Sequence, residues 1–232
     1  MGQFLVIAAS STIGQAVVTL LRQQGHQVFT TARDRRRIEP DAILDACDFD
    51  AVEAVFQQAG PLDGVVNCAG SLWLKNAAQT SAEQYRAVID ASLTSAFATV
   101  RAAEKTMTHG GSVVLISSAA AMVGLANHEA IAAAKGAIIS LAKAAAASYA
   151  PNNLRFNVVA PGLTETALTT DITQNPVARK ISESMHALGR LGTPLDIARA
   201  IVFFLDPQNA WISGQVLAVD GGLSQLRPKM KA

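Results

Sequence analysis

The sequence predicts an α/β fold built on an open, doubly wound parallel sheet, and three observations carry that expectation. Short apolar runs alternate with longer helix-period stretches along the whole chain. Those runs are continuously apolar rather than alternating, as strands covered by helices on both faces require. No Pro/Gly/Ser-rich linker and no internal repeat divides the 232 residues, so one domain spanning 1–232 is expected.

Seven runs qualify as strands: Phe4–Ala8, Gln27–Thr31, Ile43–Ala46, Gly64–Asn67, Ser112–Ser117, Arg155–Ala160 and Val216–Val219. Helix starts are announced between them by Asp50 with Glu53, by Thr80 with Glu83, and by Thr193 followed by Pro194 and Asp196. Two alanine-rich helices are expected around 81–107 and 130–150. A helix in each crossover implies right-handed connections and ligand binding beyond the carboxyl ends of the strands.

Composition narrows the function classes. Half the residues are hydrophobic and 16% are charged, which excludes disorder and coiled coil. The net charge of +1 supplies no field for a polyanion, so a small-molecule substrate is expected and nucleic acid is not. Cys47 and Cys68 form neither a CxxC nor a His/Cys cluster, so no metal site is expected and a reducing cytoplasm fits. The run Phe4–Ala9 is too short for a signal peptide or a span, and Lys135 and Lys143 argue against membrane insertion of the second alanine-rich stretch. Aromatic residues are only 5% of the chain, with two tyrosines, Tyr85 and Tyr149.

The turn after the first strand, Ile7-Ala8-Ala9-Ser10-Ser11-Thr12-Ile13-Gly14, has the spacing of a dinucleotide-binding βαβ unit. Glycines in such a turn tighten it, admit the pyrophosphate and pack helix on strand, and here only the helix-packing Gly14 is present. Ala8 suits a tight turn at negative φ, whereas Thr12 would be strained at positive φ and would crowd a phosphate. Ser10, Ser11 and Thr12 offer hydroxyl donors at the helix N-terminus; a loop that merely caps a helix is the competing reading. After the second strand, Ala32 occupies the place of the ribose-binding acid and Arg33 follows it. A guanidinium there suits a 2′-phosphate, so NADP(H) is expected over NAD(H), with Arg33 as the clamp; Arg35–Arg37 read equally as a solvated basic turn.

Further landmarks follow in order: Asp48, Asn67-Cys68-Ala69-Gly70, Ile116-Ser117-Ser118, Ala134-Lys135, and Asn157 through Pro161-Gly162-Leu163-Thr164-Glu165-Thr166. Gly189 through Pro194 and Ile212 through Gly222 continue the series. The chain resembles the short-chain dehydrogenase/reductase family, in its reductase branch, over almost its whole length. The resemblance implies a seven-stranded Rossmann sheet, a nicotinamide cofactor, hydride transfer at a carbonyl or alcohol, and a homotetramer or homodimer. It implies that Asp48 faces adenine, that Asn67, Ala69 and Gly70 line the cofactor cleft, and that Pro161, Gly162, Thr164 and Thr166 border the nicotinamide. Ser118 would orient the substrate oxygen, and Lys135 would bind the nicotinamide ribose.

The family places a catalytic tyrosine four residues before the lysine, where this sequence has Ile131, and an asparagine where it has Ser92. His128, seven residues before Lys135, matches the tyrosine spacing of the enoyl-reductase branch and offers an acid; a polar residue opening the helix is the competing reading. Two functions are therefore expected in competition. One is an NADP(H)-dependent oxidoreductase whose atypical proton relay uses Ser118, Lys135 and His128. The other is a catalytically silent member binding a nucleotide or ligand as sensor or partner subunit. Residues 164–190 are expected to form a lid that sets substrate specificity.

Overall fold

Every strand of the sheet has apolar residues on both faces, because helices cover both. The computed structural model describes residues 1–227. β1 (Gln3–Ile7) leads through α1 (Thr12–Gln23) to β2 (Gln27–Ala32), then to the two-residue β3 (Ala42–Ile43) and α2 (Phe49–Ala59). β4 (Gly64–Asn67) is followed by α3 (Ala82–Ile89) and α4 (Ser95–Thr106), which are joined by a π-helical turn at Asp90–Thr94. β5 (Gly111–Ile116), α5 (Glu129–Tyr149) and β6 (Leu154–Pro161) come next. The short α6 (Thr170–Thr173), α7 (Pro176–Met185), α8 (Pro194–Leu205) and β7 (Val216–Val219) complete the chain.

The seven strands form one sheet in the order β3-β2-β1-β4-β5-β6-β7, with every pairing parallel. The order reverses between β1 and β4, which opens a crevice at their carboxyl ends. Alternate side chains serve opposite layers. Phe4, Val6, Val66, Val114 and Val159 pack with α1 and α8, while Leu5, Ile7, Val65, Val113 and Val158 pack with α2, α4 and α5. Buried alanines on α4 and α5, among them Ala102, Ala103, Ala142 and Ala145, let these helices lie close to the sheet. The helical stretch Glu129–Asn152 is long and apolar enough to cross a membrane, but its apolar face is the one packed into this core.

Three local expectations are corrected. β3 is two residues long rather than four: after Leu44 N–H bonds the Ala32 carbonyl, Leu44 turns into the core and pairing stops. Asp48, not Asp50, caps α2, accepting hydrogen bonds from the backbones of Asp50 and Ala51. Ser81 with Gln84, not Thr80 with Glu83, forms the capping box of α3, because the Thr80 hydroxyl is already bonded to the Asn76 carbonyl and Trp73 Nε1. Thr193, Pro194 and Asp196 open α8 as read from the sequence.

Candidate functional site

A cleft of about 1300 Å³ opens at the carboxyl ends of β1, β2, β4, β5 and β6. Its first wall is the turn after β1. Ala8 adopts φ +56° and not the negative φ at which alanine suits a tight turn, so it performs the turn a glycine would make without strain. Ser11 N–H bonds the Ala8 carbonyl at 3.0 Å and closes the turn. Gly14 is the packing glycine: a Cβ there would lie 2.7 Å from the Ala8 carbonyl oxygen and 2.9 Å from Ala9 Cα. Ser10, Ser11, Thr12 and Ile13 all line the cleft. The Ser11 hydroxyl is committed to the cap, accepting from Gly14 N–H at 3.0 Å, and Thr12 Oγ1 accepts from Ala167 N–H at 3.1 Å. Thr12 is thus the first residue of α1 and its hydroxyl ties the turn to the segment after β6.

At the end of β2, Arg33 is exposed, lines the cleft, and has no carboxylate within ion-pair distance among the described residues. Arg37 shares these properties, and its other arginine neighbours differ. Arg36 is paired with Asp34, whose carboxyl it holds below the usual range, and Arg35 is paired with Glu39 outside the lining. Asp48 does not line the cleft, since its carboxylate is drawn to the first turn of α2; Asp45 and Cys47 line it instead. Burial foremost, then Asp45 and Asp90, pushes the Cys47 thiol up to about 11.

The base of the cleft centres on Lys135. The residue is 6% exposed, its Nζ donates to the Ile116 carbonyl at 2.9 Å, and burial pushes its pKa down to about 8. Ser117 Oγ donates to the Lys135 carbonyl at 2.8 Å and so ties α5 to the end of β5, a role the sequence reading left unassigned. Ser118 lines the cleft, with its Oγ accepting from Ala120 N–H at 3.2 Å. Asn67 lies beneath the lining: its side chain donates to Thr99 Oγ1 at 2.9 Å and accepts from Ala69 N–H at 2.8 Å, which shapes the turn that presents Ala69 and Gly70. Burial pushes the adjacent Cys68 thiol up to about 12, opposed by Lys135.

Ile131 stands one turn before Lys135, 3% exposed, in an apolar cluster with Val88, Ala130 and Ala134, and it also lines the cleft. Ser92 sits in the π-helical turn, 1% exposed, with no hydrogen-bond partner for its Oγ among the described residues. His128 is the residue before α5 and lines the cleft. Its Nδ1 donates to the Ala126 carbonyl at 2.7 Å, which leaves Nε2 available.

The turn after β6 supplies the remaining wall through Pro161, Gly162, Thr164 and Thr166. A Cβ on Gly162 would fall 2.8 Å from His186 Nε2 and 2.9 Å from Asp220 Cα, so this approach requires glycine. His186 is buried, accepts from Leu163 N–H at 3.2 Å and donates through Nδ1 to the Ser182 carbonyl at 2.6 Å. It therefore joins α7 to the turn after β6. Nothing in its local sequence marks that role, because the contact spans 23 residues.

A family model described as "Enoyl-(Acyl carrier protein) reductase" matches residues 7–224. The chain belongs to the short-chain dehydrogenase/reductase family. It is 30% identical over 238 residues to carbonyl reductase family member 4 of Danio rerio, covering 96% of this chain and 98% of that one. A short-chain dehydrogenase/reductase structure from Mycobacterium ulcerans superposes with a TM-score of 0.91 at 27% identity, covering 97% of this chain and 90% of that one. The structure "ElxO with NADP Bound" superposes at 0.88, also at 27% identity, with 96% and 99% coverage.

Short-chain dehydrogenases/reductases use nicotinamide dinucleotides, and the residues of this cleft fit such a group. The α1 N-terminus presents unpaired backbone donors to an anion. Gly70 leaves Lys135 accessible, since a Cβ at that position would sit 3.2 Å from Nζ. Arg33 adds an unneutralised guanidinium at the far end. No tyrosine is among the described residues that line the cleft.

Proposed function

We propose that this chain is an NADP(H)-dependent oxidoreductase that interconverts a carbonyl and an alcohol on a small molecule through a proton relay without a tyrosine. The observation that carries the reading is Lys135, buried at the base of the cleft with a single hydrogen bond on Nζ among the described residues. The dinucleotide, when bound, supplies a hydride to the carbonyl carbon or takes one from the alcohol. The chain's own groups manage the oxygen. Ser118 donates a hydrogen bond to it, which stabilises the negative charge that develops during reduction. Lys135 places an ammonium group and a transferable proton at the same end, where Ile131 has none to give. His128, whose Nδ1–H is held by the Ala126 carbonyl, is a second proton source through Nε2 only in its imidazolium form. Arg33 receives the 2′-phosphate, and the NADP of the ElxO structure supports that preference.

One observation favours the silent reading: Ile131 is packed into an apolar cluster rather than standing free beside an opened route for water. A protein of that kind would bind the nucleotide and leave it unchanged. Oxidation of NADPH that depends on a carbonyl compound and is lost in Ser118→Ala distinguishes the two. The proposal includes a homodimer or homotetramer, supported by the exposed Phe203 and Trp211, and a cytoplasmic location, supported by two free cysteines. Residues 164–190 are the proposed lid.

A further inference from the structure

We infer that the substrate end of this cleft takes an uncharged, predominantly apolar carbonyl compound. The inference rests on the oxidoreductase reading and adds the substrate class to it. The cleft is divided by chemistry. Apart from Lys135, its charged lining residues are Arg33, Asp34, Arg36, Arg37, Asp45 and Asp90, all from the side that includes the end of β2 and the start of α2. The opposite end is lined by Leu168, Ile181 and Met185 across from Leu72, Leu125 and Ile131.

Two features make this more than an apolar wall. Leu168, Ile181 and Met185 are 56%, 57% and 44% exposed, so the 164–190 segment presents uncovered apolar surface where a ligand would remove it from water. No carboxylate, guanidinium or ammonium of that segment lines the cleft among the described residues. Its Arg179 is instead paired with Glu165 and Glu183, away from the lining. Both nitrogens of His186 are engaged in hydrogen bonds, so it has none to offer a ligand. A charged substrate buried here would lack a partner at its outer end, which is costly, whereas an apolar one covers the exposed side chains.

Trp73 reports on this end through the Ile131 cluster it packs against, and the chain's other tryptophan, Trp211, is fully exposed. In Trp211→Phe, quenching of Trp73 is titrated with 2-alkanones from butanone to decan-2-one, and with (ω−1)-oxo acids of equal length, whose carboxylate lies at the end remote from the ketone, with and without NADP⁺. No reduction occurs with the oxidised nucleotide, so binding is read without turnover. Kd should fall about three- to fourfold per added methylene until the end is filled, and the (ω−1)-oxo acids should bind at least about tenfold more weakly. Leu168→Asp and Ile181→Asp, at exposed positions, should weaken decan-2-one about tenfold or more while leaving Tm and its rise with NADP⁺ unchanged. A flat series, tighter (ω−1)-oxo acids, or unaltered decan-2-one binding in both variants overturns the inference. If the ketones bind as expected but NADPH is never oxidised, the ligand class stands and the oxidoreductase reading fails. Oxidation supported only by charged or polyhydroxylated carbonyls gives the reverse.

Discussion

Ile131 and Lys135 stand one turn apart on the same face of α5, both buried and both lining the cleft, so an apolar side chain lies beside an amine whose pKa is lowered by burial. The lysine has no phenol to act on. In the proposed relay its own proton is the one that moves, and the pH behaviour of the protein should reveal it.

With burial holding Lys135 at about 8, against 10.5 for an ordinary lysine, the unfolded chain binds a proton that the folded chain lacks between those values. Stability therefore rises with pH across that window, by an amount of order 3 kcal/mol from this group. Lys135→Met removes the contribution, so the Tm advantage of wild type over the variant should widen from pH 8 to 10.5. Parallel Tm curves would show that the lysine is not held in the neutral form by burial.

Ile131→Tyr adds a ring to a position 3% exposed and should cost about 1–3 kcal/mol through overpacking, lowering Tm. Carbonyl reduction should nevertheless rise about 10²-fold or more, because a phenolic acid then sits one turn from the lysine. An unchanged rate would mean that proton delivery does not limit the reaction.

Arg33→Ala should weaken NADPH about 10- to 100-fold, the range expected for hydrogen bonds to a charged group, while NADH binding changes little. Titration of both nucleotides by calorimetry checks this. Equal losses would remove Arg33 from phosphate recognition.

Ala8→Gly relieves a φ of +56° and should stabilise the protein by about 1 kcal/mol, raising Tm by roughly 2–4 °C. Gly14→Ala places a Cβ against fixed backbone at 2.7 Å and should destabilise by about 1–3 kcal/mol. Calorimetric scans of the two variants should move in opposite directions.

The sheet was legible because parallel strands covered on both faces write themselves as unbroken apolar runs, and β4 and β7 match their sequence limits residue for residue. β3 was not, since two paired residues leave no periodic trace. Lys135, Ser118 and Gly70, singled out by short local motifs, all line the cleft. Asp48 caps α2 and stands outside the lining, because its position beside the third strand carries no information about which neighbour its carboxylate bonds. His186, and the pairing of Asn67 with Thr99, depend on contacts 23 and 32 residues apart, for which no local pattern exists. The sign of φ at Ala8 was not legible, because the geometry of the β1–α1 turn overrides the intrinsic preference of alanine.

The central claim is tested most directly by following NADPH absorbance with an apolar ketone across about pH 6 to 10, in wild type, Ser118→Ala and Lys135→Met. The account predicts turnover in wild type that declines above about pH 8 as Lys135 loses its proton, and losses of about 10²-fold or more in both variants. NADPH that raises Tm yet is oxidised by no form except Ile131→Tyr would contradict it.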